Sequence, residues 1–150
     1  MSDSPSPSPS APDSHALVQE TLEQINLTVM AAGGTWTLGD DTPWRWPMST
    51  VGYWPNPCTD DSNQYGFDLS DHSPRSDPIG DIEKVRAAWQ AKGWKVRTIA
   101  ERTTGSDPGG EITVNFRNDG VISFDAAHSG AGIVAQTACS TDPSTNEHSK

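Results

Sequence analysis

Residues 111–126 read EITVNFRNDGVISFDA. Ile112, Val114 and Phe116 alternate with Thr113, Asn115 and Arg117, and Asn118, Asp119 and Gly120 then lead into Val121 to Ala126. Period two sends alternate side chains to opposite faces of a strand, and the Asn-Asp-Gly run suits the left-handed backbone of a tight turn. The stretch predicts a β-hairpin with one buried and one solvated face, as in an antiparallel sheet.

Working outward, the segment from Trp94 to Ala100 also has period two, with Trp94, Val96 and Thr98 on one side and Lys95 and Arg97 on the other. It predicts a half-buried strand, joined to the hairpin by a turn at SDPGG, residues 106–110. Downstream, Ile133 to Thr137 is a last strand that delivers Cys139 to the sheet edge. Upstream the period changes. Ile82, Val85 and Trp89 recur at i, i+3 and i+7, while Glu83, Lys84, Arg86, Gln90 and Lys92 take the other side. This predicts a helix starting near Pro78 to Asp81 and ending at Gly93.

A first helix is expected from Asp13 or Ser14 to about Ala32, with Val18, Leu22, Ile25 and Val29 as its stripe, Leu17 and Met30 widening it, and Gly33 and Gly34 as its stop. Thr35 to Leu38 reads as a short strand before the polar turn Gly39, Asp40 and Asp41. Pro43, Pro47, Pro55 and Pro57 limit sheet pairing in the next segment, where Thr50 to Tyr53 is an expected edge strand. Tyr65 to Leu69 is a further strand. Helices and locally connected strands in this order define an α+β fold, with two helices packed on one face of a mostly antiparallel sheet.

The termini differ in kind. Residues 1–13 alternate Ser and Pro with nothing apolar to bury, and 140–150 are polar, so both are expected to be disordered tails around a single domain at 14–139. The first is long enough to act as an extended tether. The chain carries 20 acidic and 10 basic side chains, a formal net charge of −10, which works against nucleic acid as a partner. No apolar run approaches the length of a membrane-spanning helix.

Two cysteines, Cys58 in the Pro-rich loop and Cys139 after the last strand, suggest one disulfide, which would close a loop of about 80 residues; two separate buried thiols are the alternative. A metal site is not expected, since no histidine has ligand spacing from either cysteine. Glycine-rich phosphate loops, nucleophile elbows, HExxH and calcium-loop patterns are absent from the sequence. His15 and His148 fall in or beside the expected flexible ends, while His72 beside Asp71, or His128 three residues after Asp125, could serve a small hydrolase, and solvent-facing turns explain them as well. The expectation is therefore a protein that is not an enzyme and needs no cofactor.

Six tryptophans are an excess, and Trp44, Trp46 and Trp54, with Tyr53, fall in one Pro-rich stretch. Rigid aromatic rings on a loop grip carbohydrate, peptide or protein surfaces at little entropic cost, so these four are the candidate ligand-binding residues. A structural role, capping the sheet, competes with that reading. Trp36, Trp89 and Trp94 continue apolar faces and are expected in the core.

The Ser/Pro-rich start, the run AAGGTWTL, the helix IEKVRAAWQAKGW and the terminal IVAQTACS together resemble the small secreted lipoproteins of actinobacteria. The resemblance covers about 115 residues and implies an extracytoplasmic domain, anchored to the cell membrane through a lipid on an N-terminal cysteine and stapled by a disulfide. The resemblance implies such a cysteine at the position of Met1; with Met1 as the native start, the cytoplasm is the expected location. The functional expectation is a monomeric interaction or ligand-binding module with a protein or cell-envelope ligand. The alternative is an acidic inhibitor or immunity-type protein that captures a basic partner.

Overall fold

The computed structural model describes residues 14–47, 54–59, 62–103, 105–117 and 120–140. The expected strand at Thr50 to Tyr53, the candidate residue Tyr53, the tether at 1–13 and all of the C-terminal tail except Ser140 lie outside these residues.

Helix α1 spans Ser14–Ala32 and α2 spans Pro78–Ala91; the strands are β1 Thr37–Leu38, β2 Trp54–Thr59, β3 Ser62–Asp71, β4 Arg97–Arg102, β5 Gly109–Arg117, β6 Gly120–Ala127 and β7 Gly130–Gln136. The sheet is antiparallel throughout, in the order β1-β3-β7-β6-β5-β4, with β2 also paired to β3. Three hairpins build β4 to β7, and α2 carries the chain from β3 across the sheet to the opposite edge.

Period-two patterning decides which face is covered. Ile112, Val114, Ile122, Phe124, Ile133, Ala135, Phe67 and Leu69 all point to the side where α1 and α2 lie, and all are buried. The helices contribute Leu22, Ile25, Ile82, Val85 and Trp89 to the same cluster. They are tied to each other by a polar link inside it. The indole N–H of Trp89 donates to the Thr28 hydroxyl at 2.9 Å, and that hydroxyl donates to the Gln24 carbonyl at 2.9 Å.

Asp77 caps α2, its carboxylate accepting from the Gly80 N–H, and Pro78 takes the first turn, where no backbone donor is needed. Gly33 and Gly34 end α1 at positive φ. Gly34 has a second reason to lack a side chain: a Cβ there would run into the Asp71 carboxylate and Arg75 guanidinium. Arg75 is the buried joint at this end of the molecule. Its guanidinium reaches the Asp71 carboxylate at 2.8 Å and that of Asp81 at 3.0 Å, donates to the carbonyls of Ala32 and Gly33, and lies over the Trp36 ring. One side chain thus joins the end of α1, the end of β3 and the start of α2, and satisfies the orphan carbonyls of the α1 terminus.

Several sequence expectations shift. The strand expected from Trp94 begins three residues later, because Trp94 and Val96 pack on the core as part of the connection from α2, with Trp94 against Phe116. A register shift between Thr98 and Ala100 then breaks the alternation. Gly109 and Gly110 are the first residues of β5 and not part of the preceding turn. The region expected to be irregular contains the six-residue strand β2. Its prolines are compatible with pairing on an edge, where a strand needs donors on its inner side only.

Candidate functional site

Cys58 and Cys139 form a disulfide, with Cα atoms 6.3 Å apart and a separation of 81 positions in sequence. Locally the register of β2 slips between Pro57 and Thr59, at Cys58, and Cys139 precedes Ser140, which pairs with Asn63 of β3. The bond therefore staples the β2–β3 hairpin to the chain leaving β7. Disulfides form and persist in oxidising compartments, so this one points outside the cytoplasm. No helix among the described residues is long and apolar enough to cross a membrane.

Of the aromatic candidates, the described residues include the side chains of Trp44 and Trp46. Trp44 and Trp46 stack on each other, with ring centroids 5.9 Å apart and planes 13° from parallel. Both are half-buried against the core, and the Trp44 indole N–H donates to Asn26 Oδ1 of α1 at 3.2 Å. The backbone of Trp54 belongs to β2 and pairs opposite Gly66.

The histidine pairs are not assembled as a base and its orienting carboxylate. Asp71 is committed to Arg75 and to the Ser73 N–H, and His72 is exposed. His128 Nδ1 lies 2.8 Å from the Arg75 carbonyl, so this nitrogen carries a proton, and the His128 backbone N–H donates to Asp107, not to Asp125. No cluster of three or more metal-ligating side chains occurs among the described residues.

What the sequence reading missed is the other face of the sheet. Both helices lie on one side, so among the described residues the opposite side is open. Register places the row Ser70, Gly132, Asp125, Glu111 across β3, β7, β6 and β5, and beside it the row Asp68, Val134, Ser123, Thr113. Ser123 donates to the Thr113 hydroxyl at 2.8 Å, and Thr113 donates to the Ile122 carbonyl at 3.1 Å, which fixes the polar floor. Val134, 49% exposed, lies opposite Asp68 and diagonal to Asp125, and Asp125 in turn lies opposite Glu111.

Asp125 is the group under most electrostatic pressure. Although the residue as a whole is exposed, its carboxylate leans over Gly132, where a Cβ would lie 2.7 Å from Oδ1, and so sheds part of its hydration. That burial pushes its pKa above the ordinary carboxylate range; the negative charges of Glu111 and then Asp68 push it further, and Arg102 partly opposes them. A charged Asp125 is thus short of positive charge, and a cation placed beside Val134 would supply it. The alternation of β5, β6 and β7 carried this signal, because the polar members Asp125, Glu111 and Ser123 were legible as the solvated side. Only strand order brings Asp68 to the same place.

Comparison with protein-family models, curated proteins and solved structures finds no match to this chain.

Proposed function

We propose that this protein is a non-enzymatic, extracytoplasmic binding module whose open sheet face captures a cationic protein surface. The observation that carries the reading is the group of three carboxylates centred on Asp125, which is raised in pKa by partial burial and by Glu111 and Asp68. A Lys or Arg side chain seated there relieves that repulsion, while Val134 supplies the apolar contact that such pairs need to exclude water. The sheet is rigidly backed by the core, so the site requires little ordering on binding.

The disulfide supports an oxidising location, and the likeness to small actinobacterial lipoproteins supports tethering to a membrane through a lipidated N-terminus ahead of the Ser/Pro-rich segment. Among the roles considered from sequence, the acidic partner-capturing protein is the one this face favours. Trp44 and Trp46 are assigned to packing, since their rings cover each other and the core and the Trp44 donor is used internally.

Titration calorimetry with a lysine- and arginine-rich peptide tests the proposal. Binding is expected to weaken steeply with salt and to fall in Asp68→Asn and Asp125→Asn. Binding indifferent to salt, or unchanged in both variants, contradicts it. Intact mass after alkylation without reduction, on protein from its own cells, tests the location: two alkylated thiols would overturn the extracytoplasmic assignment.

A further inference from the structure

Positive charge in this acidic chain is gathered in one place. Lys84, Arg86, Lys92, Lys95, Arg97 and Arg102 are six of its ten basic residues and fall within residues 84–102, where Glu101 is the only acid; 19 of the 20 acidic residues lie elsewhere. The fold keeps this stretch together as α2 and the adjoining edge strand β4. Two of the six are engaged, Arg86 by Glu83 and Arg102 by the Asp107 carbonyl and the charge of Asp125. Among the described residues Lys84, Lys92 and Lys95 are exposed and have no carboxylate partner, and Arg97 bonds the neutral amide oxygen of Asn115 at 2.8 Å. Arg86 holds Glu83, and the nearby Glu20 is held by Arg117.

Ile99, 56% exposed, sits at the register shift of β4 in the middle of this cationic edge. Position matters as well as charge. Arg97 lies opposite Thr113, and Arg117, at the end of β5, is bridged to Glu20 in the second turn of α1 at 3.0 Å. The start of β4, with Lys92 and Lys95 just before it, therefore shares one end of the molecule with the first turns of α1. Asp68 on β3 is four strand spacings from β4, about 19 Å, Asp125 on β6 is two, and Glu111 on β5 is the direct neighbour, opposite Ala100. The three carboxylates of the open face stand on β3, β5 and β6, whereas Lys92 and Lys95 lie in the connection from α2 to β4, outside the sheet.

We propose that the α2–β4 edge is a docking surface for an anionic phospholipid bilayer, with Lys92, Lys95 and Arg97 against the headgroups and Ile99 at the interface. Charge complementarity selects the surface, and the position of the α1 start selects the orientation: the chain enters the fold from the side that faces the membrane. The sheet face bearing Asp68, Glu111 and Asp125 is left free for its own partner. A basic patch of this size adds to another attachment rather than replacing one.

The test is flotation of the full chain with phosphatidylglycerol–phosphatidylcholine vesicles and with phosphatidylcholine vesicles, at low and physiological salt. The expected result is binding that requires phosphatidylglycerol, weakens with salt, and drops by about 30-fold in Lys92→Gln/Lys95→Gln. Both lysines are exposed and unpaired, so this variant keeps the fold, which circular dichroism checks directly. Asp68→Asn, outside the patch, is expected to bind vesicles at least as well as the parent. Absence of binding, equal binding to both vesicle types, or an undiminished double variant overturns the proposal. Binding to soluble polyphosphate but not to vesicles also overturns it, and assigns the patch to a soluble polyanion. None of these outcomes depends on the acidic sheet face, so either proposal can fail while the other stands.

Discussion

The two faces of one sheet are built from the same strands yet obey different rules. On the covered face β1, β3, β5, β6 and β7 present aliphatic or aromatic side chains, and the charge network at its end, around Arg75, is paired on several sides. On the open face three carboxylates stand near one another with one of them pushed toward protonation. A core tolerates charge only when it is neutralised at once, whereas a surface can hold unrelieved charge, and such a surface is where a partner gains most by arriving. The stability of this protein should therefore depend on the covered face and the staple, and its recognition on the open face.

The sharpest way to break this contrast is Arg75→Ala. Removing the guanidinium leaves Asp71 buried without its partner and strips the α1 terminus of two donors, so denaturant unfolding should show a loss of about 3–5 kcal/mol. A loss near zero would mean that the joint is not structural. Next in size is the disulfide. Cys58→Ala/Cys139→Ala releases a loop of 81 residues of separation and is expected to cost up to about 4 kcal/mol, with the same denaturation experiment as its measure.

Trp44→Ala sharpens the comparison from the aromatic side. A half-buried ring that packs on the core and on Trp46 predicts a loss of about 2 kcal/mol in stability with peptide binding intact. The opposite pattern, intact melting temperature and lost binding, would return the tryptophans to the site. Asp125→Asn has the smallest effect and the opposite sign. Because the folded pKa lies above the ordinary one, the ionised carboxylate disfavours the fold. That penalty is present at neutral pH and disappears as pH falls through the raised folded value and then the unfolded one. The variant should be more stable than the parent at pH 7, within the roughly 0.5 kcal/mol usual for surface changes, and equal to it in acid, as thermal melts at the two pH values would show.

Local patterning made most of the architecture legible. The hairpin at 111–126, both helices and the glycine stop of α1 rest on contacts between near neighbours, and the α+β class followed from them. The late start of β4 was not legible, because Trp94 and Val96 look the same in a strand as in a packed connection; only the place of Phe116 separates the two. Nor was Arg75, whose five nearest neighbours in sequence give no hint that α1 ends above it. The acidic face was half legible. Asp125 and Glu111 alternate with core residues within one hairpin, but Asp68 joins them through β7, a partner more than 60 residues away. The tryptophan-rich stretch shows a different limit: nearness in sequence does not say which rings meet, and it is the fold that stacks Trp44 on Trp46 beside the core.

The central claim is that recognition belongs to the open face. Backbone amide shifts, followed by NMR while a lysine- and arginine-rich peptide is added, test it most directly. The account predicts changes centred on Asp68, Glu111, Ser123, Asp125 and Val134 that vanish in Asp68→Asn/Asp125→Asn. Changes centred on Trp44 and Trp46, or spread evenly over the acidic residues of the whole surface, would contradict it.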